Sequence, residues 1–118
     1  DAIPIAFKSE VKTGAAKMLA TIEGNSPKEY DVEIEKLSLS PAAKTKNIVI
    51  RVTDEELLEQ TGGIVQGMSG SPIIQDGKLV GAVTHVFVSD PTRGYGILIE
   101  DMLEEANELI ESSADQAA

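Results

Sequence analysis

Apolar and polar positions alternate with a period of two along the first half of this chain. In EYDVEIEKL (29–37), Tyr30, Val32, Ile34 and Lys36 fall on one side and Asp31, Glu33 and Glu35 on the other. That pattern predicts a half-buried antiparallel strand. Residues 15–24 carry Met18, Ala20 and Ile22 at the same spacing, and Gly24-Asn25-Ser26-Pro27 between the two runs predicts a hairpin loop. IPIAF (3–7) is a short apolar strand, residues 38–47 are a polar connection, and the β-branched IVIRV (48–52) predicts a buried strand.

The period then changes. TDEELLEQTGG (53–63) has the signals of a short helix: Thr53 and Glu56 at capping-box spacing, acidic Asp54 and Glu55 at the positive end, and Gly62 or Gly63 to end it. SPIIQ (71–75) and KLVGAVTHVFV (78–88) flank Asp76-Gly77, a strong hairpin signal because a type I′ turn needs positive φ at both positions. A two-residue loop pairs Gln75 with Lys78 and Ser71 with Ala82, and sets Ser69 opposite about Thr84. A loop (89–96), a last short strand GILIE (96–100) and an amphipathic helix (99–110) follow; the helix carries Ile99, Met102, Leu103, Ala106 and Ile110 on one stripe. Many short strands with a terminal helix predict a mainly β domain, a small antiparallel barrel or sandwich.

Composition narrows the chemistry. The 118 residues fit one domain, and only 3% are aromatic, so its core must be aliphatic. The absence of cysteine excludes disulfides, thiolate catalysis and cysteine metal sites. A single histidine cannot build a histidine-rich zinc site, and neither metal nor cofactor is expected. The net charge of −10 argues against nucleic acid. Much of the acidity lies after Glu100, where no Lys or Arg occurs, and suits a solvated helix face. No apolar run approaches the roughly 20 residues of a membrane-spanning helix.

The candidate chemistry lies in GIVQGMSGSPIIQDGKLVGAVTH (63–85), where glycines crowd around Ser69. A serine hydroxyl needs a base to become a nucleophile, and the tetrahedral intermediate needs backbone N–H donors on its oxyanion. A glycine-rich turn can supply the donors: the N–H groups of Gly67 and Ser69 would form the oxyanion hole, and Gly70 would let a substrate pass close. The same glycines would also serve a hairpin corner without chemistry. Ser71 is a rival nucleophile, but Pro72 follows it and it opens a strand.

GGIVQGMSGSPIIQDGKLVGAVTHVFVSDPTRGYGI (62–97) resembles the C-terminal part of the sporulation stage IV protein B family of serine peptidases. Its G-M-S-G-S-P box is similar to the G-D-S-G-G-P box of chymotrypsin-like proteases, and the resemblance extends more loosely from IPIAF to IEDML. It implies a chymotrypsin-like double β-barrel peptidase whose C-terminal portion is residues 1–118. Full-length relatives are membrane-anchored, carry a PDZ domain, and are exported from the forespore into the space between its two membranes. There they cut themselves and a membrane-bound regulatory protein, which are the expected partners.

Residue by residue, Ser69 matches the family's nucleophile, and Asp54 matches the position of its triad aspartate. Asp54 is equally read as a carboxylate at a helix N-terminus. The family's histidine lies far upstream, in the first barrel, and nothing here matches it, so the resemblance implies an inactive chain unless a missing segment is supplied. His85 has three readings: a base, a wall of the substrate pocket, or a hydrogen-bonded core histidine among Val83, Val86 and Phe87. The backbone of Thr84 would pair with an extended substrate, or belong to an ordinary strand. A face left bare by an absent first barrel would favour dimers or strand exchange. Two competing readings are a non-catalytic barrel that binds other proteins, and an enzyme using Ser69, His85 and Asp54 within this chain.

Overall fold

A computed structural model describes residues 3–20, 28–38, 46–64, 68–87 and 89–103. Six antiparallel strands close into a barrel: β1 (Gly14–Ala20), β2 (Lys28–Leu37), β3 (Ile48–Val52), β4 (Pro72–Gln75), β5 (Lys78–Val86) and β6 (Arg93–Leu98). Their order around the barrel is β1-β2-β3-β6-β5-β4, with β4 returning to β1 through Lys17–Ile74 and Met18–Ile73. Closure gives each of the six described strands two neighbours. This is the mainly β, chymotrypsin-like type of barrel that the sequence predicts.

The interior is aliphatic, as the shortage of aromatics requires. Met18, Val32, Ile34, Ile48, Ile50, Ile73, Val83 and Leu98 are all but fully buried. Along β1, β2 and β3 such positions alternate with more exposed ones, whereas β5 buries Val80, Gly81, Ala82 and Val83 in a row. Tyr30, Val32 and Ile34 face inward as their period predicts, but Lys36 does not. A bulge pairs Ile34 with Ile50 and Lys36 with Val49, so Glu35 is the extra residue and the alternation flips beyond it. Lys36 is exposed, and Leu37 packs against the core in its place.

Four other expectations are corrected. IPIAF is no full strand: it makes one parallel bridge, Ile5 to Leu79, with Leu79 N donating to Pro4 O and Ala6 N to Leu79 O. The helix is α1 (Glu55–Thr61), one residue later than Thr53 capping would give. The N–H groups of Thr53 and Asp54 both donate to Asp31 O on β2, so the chain stays strand-bound until Asp54 caps instead. Gly62 ends the helix at φ +76. The last strand starts at Arg93, inside the expected loop, because Gly94 and Gly96 let β6 lie close against the β5 backbone at His85 and Ala82.

The fourth correction concerns the β4–β5 hairpin. Asp76-Gly77 forms the two-residue turn, with φ of +52 and +76, and Gln75 faces Lys78. Val80 is then a bulge, so Ser71 faces Val83 rather than Ala82: Val83 N donates to Ser71 O, and Gly70 N to Val83 O. Residues 99–103 begin the terminal helix. Its remainder, the 24–27 hairpin loop and most of the 38–47 connection lie outside the described residues.

Candidate active site

The end of β3, the start of β4, the end of β5 and the start of β6 all lie at one mouth of the barrel, because neighbouring strands run antiparallel. The mouth therefore gathers Asp54, Ser69 and the Thr84-His85 pair from three separate stretches of sequence. α1 follows β3 there and contributes Leu57, fully buried, to the core.

Ser69 stands on a tight turn. Ser71 N donates to Met68 O, closing a four-residue turn whose third residue, Gly70, has φ +92. An L side chain resists that backbone, whereas a Cβ there would meet nothing within 4 Å. The glycine is thus required by the turn, and the space over it is open. Met68 anchors the turn by burying its own side chain in the core. Ser69 itself is exposed, and its hydroxyl donates to Thr84 O at 3.2 Å. Among the described residues nothing accepts from the Ser69 N–H. Gly67, the other expected oxyanion donor, lies outside the described residues.

Thr84 carries the acceptor because the strand bulges there. Val83 pairs with Gly96 and His85 with Tyr95, so Thr84 is the extra residue on β5. A bulge locally disrupts the ladder and re-aims the chain. His85 follows on the outer wall, exposed, which corrects the reading of it as a core histidine. It lines a shallow cavity of about 380 Å³ with Lys46, Val86, Phe87, Ser89 and Tyr95. The Phe87 and Tyr95 rings meet at a tilt of 44° with 4.7 Å between centroids, with Lys46 Nζ 5.1 Å from the Tyr95 ring and the Arg93 guanidinium 5.4 Å from the Phe87 ring. Sequence reasoning did not find Lys46, Phe87 or Tyr95 here; only the strand register brings them together.

Asp54 has a different setting. Its carboxylate accepts from Leu57 N at 3.1 Å and from Asp31 N at 3.0 Å, so both oxygens hold backbone N–H groups. It follows β3, which lies three strands from β4 in either direction around the barrel. Burial raises its pKa, but the N–H groups of Asp31, Leu57 and Glu56, with the nearby Lys28 ammonium, outweigh it and hold the carboxyl below its ordinary value. The arrangement makes Asp54 a staple between β2 and α1, while Ser69 points to a backbone carbonyl rather than to an imidazole or carboxylate.

Asp54→Ala should therefore cost about 1–2 kcal/mol in urea unfolding, the usual range for a lost N-cap. Because folding lowers this pKa, its contribution is complete above about pH 3.9, the unfolded value, and disappears as pH falls through the folded one. The variant's stability should accordingly change less with pH below about 4 than that of the unaltered chain. Equal pH profiles would remove the staple role.

A family model described as SpoIVB peptidase S55 matches residues 1–103. No curated protein and no solved structure matches the chain.

Proposed function

The chain belongs to the SpoIVB peptidase S55 family, and on that premise we propose that it is the nucleophile-bearing barrel of a serine endopeptidase. The observation that carries this reading is the turn at Met68–Ser71. It holds Ser69 exposed beneath open space, on a backbone conformation that only the glycine after it permits. A serine so placed can be approached by an extended peptide, and the N–H groups beside it are the donors an acyl-transfer intermediate needs.

The general base comes from another segment of the peptidase. Among the described residues the Ser69 proton goes to the Thr84 carbonyl, which cannot accept it during attack, so the hydroxyl must turn away from Thr84 when the base docks. By itself the chain should then be inactive. In the full protein the reaction is cleavage of the peptidase itself and of a membrane-bound sporulation regulator. It takes place outside the cytoplasm, between the forespore membranes, with the parent protein anchored there. The face that receives the first barrel would let isolated chains dimerise or exchange strands.

A second reading has its own support. A barrel that only binds other proteins would also leave the hydroxyl on a carbonyl, as seen here. A biotinylated fluorophosphonate on the full-length protein separates the two. The expected result is one adduct, located at Ser69 and not at Ser71 by mass spectrometry of the labelled peptide. No adduct on either serine would favour the binding module.

A further inference from the structure

The cavity beside His85 has a composition that points to one kind of occupant. Its walls include the Phe87–Tyr95 pair and the His85 imidazole, and the Lys46 ammonium stands over the Tyr95 ring. The charge on Lys46 is unusual in its surroundings. The chain has twenty acidic residues and ten basic ones. Lys12, Lys17, Lys28 and Lys78 each face a carboxylate, as do Lys8, Arg51 and Arg93. Lys46 faces none among the described residues, and its neighbour is an aromatic face. Lys36 is the other described lysine without a carboxylate, and it is not among the residues that line this cavity.

A cation held over a ring keeps most of its charge available to an anion, and the ring adds an apolar wall for the methylenes of that anion. The cavity also lies next to the nucleophile. Thr84 O accepts the Ser69 hydroxyl, and the very next residue, His85, lines the cavity. A peptide laid along β5 beyond the Thr84 bulge would reach Ser69 with one residue while placing a nearby side chain in the cavity. The geometry points to a specificity pocket for an acidic residue, Glu or Asp, within a few positions of the scissile bond, with Lys46 as its charge partner. This rests on the serine-peptidase reading for its place in a reaction, but the pocket can be tested without any turnover.

The test uses six acetylated and amidated hexapeptides in an alanine–valine background, with one Glu walked through the six positions, and their Gln twins. Each is titrated into the ¹⁵N-labelled chain and followed by amide chemical shifts. The Glu peptide should bind roughly threefold to tenfold more tightly than its twin at one or two adjacent positions, with the largest shifts at His85, Phe87 and Tyr95. Raising the salt from about 50 to 500 mM should shrink that ratio. It should fall to about 1 in Lys46→Gln and invert in Lys46→Glu; Lys46 is exposed, so both variants should fold.

Equal binding of every Glu/Gln pair, no binding at all, or a preference that survives Lys46→Gln would each overturn the pocket. Fluorophosphonate labelling of the full-length protein, carried out beside this titration, keeps the two readings apart. Discrimination without fluorophosphonate labelling retains the pocket and removes the peptidase; labelling without discrimination does the reverse.

Discussion

Ser69→Ala should lower peptide hydrolysis by the full-length peptidase on the order of 10⁵-fold in kcat, and leave the stability of this barrel almost unchanged. The first half follows from the role of a nucleophile acting as a unit with its base: removing it leaves only the residual catalysis of binding and oxyanion donors. The second half follows from the structure. The side chain is exposed, and among the described residues its hydroxyl makes one hydrogen bond, to the Thr84 carbonyl. Removing an exposed group of that kind costs within about 0.5 kcal/mol. The turn itself depends on Gly70 and on buried Met68, which the substitution does not touch. Ser71→Ala is the matched control. Its backbone pairs with Met68 and Val83, so it should keep both fold and activity. Loss of hydrolysis in Ser71→Ala with survival in Ser69→Ala would transfer the nucleophile to Ser71. Survival in both would leave the non-catalytic barrel as the better account.

The barrel was legible because its signals are local. A period of two over EYDVEIEKL, a β-branched IVIRV and an Asp-Gly turn each fix one element without reference to the rest. What misled were places where one residue is added to a strand. Bulges at Glu35, Val80 and Thr84 carry no sequence mark, yet each shifts every pairing beyond it. Lys36 turned outward and Ser71 moved to face Val83 for that reason alone. The helix cap erred on another ground. Thr53 and Asp54 are both good caps by residue type, and the choice fell to Asp54 because a neighbouring strand, remote in sequence, holds both N–H groups.

The site divides in the same way. Ser69 stood out from its glycines, since a positive φ leaves a direct trace in the residue that must adopt it. The cavity left no such trace. Lys46, His85 and Tyr95 come from three segments, and one bulge at Thr84 decides that His85 meets Tyr95 on the outer wall. A lone histidine flanked by valines suggests a core position, and only the pairing partner reverses that. Gln75 shows the same limit in the framework: it is buried, donating to Lys12 O and Ala15 O and accepting from Lys12 N, which ties the lead-in of β1 to the end of β4.

Gly81→Ala should destabilise the barrel severely, by about 3 kcal/mol or more in urea unfolding. Gly81 sits mid-way along β5, paired with Ile73 of β4 on one side and Leu98 of β6 on the other. A Cβ built there would lie 1.9 Å from Ile97 O and 2.9 Å from Ile97 C. Both are backbone atoms of a paired strand, so no side chain can rotate to make room. The methyl group must push β6 away, and β6 is fixed in turn by Leu98 N donating to buried Asn47 Oδ1. Overpacking usually costs 1–3 kcal/mol, and an obstacle made of backbone belongs at or above the top of that range. Gly77→Ala provides the contrast. The space around Gly77 is open, and only its φ of +76 is strained, so about 1 kcal/mol is expected. For a domain of this size the first change should lower the melting midpoint by more than about 10 °C and the second by a few degrees. Fluorophosphonate labelling should follow the same order, because β5 supplies the Thr84 carbonyl against which Ser69 rests. Equal melting of the two variants would mean that β5 and β6 do not approach as described, and the pairing that brings His85 to Tyr95 would fall with it.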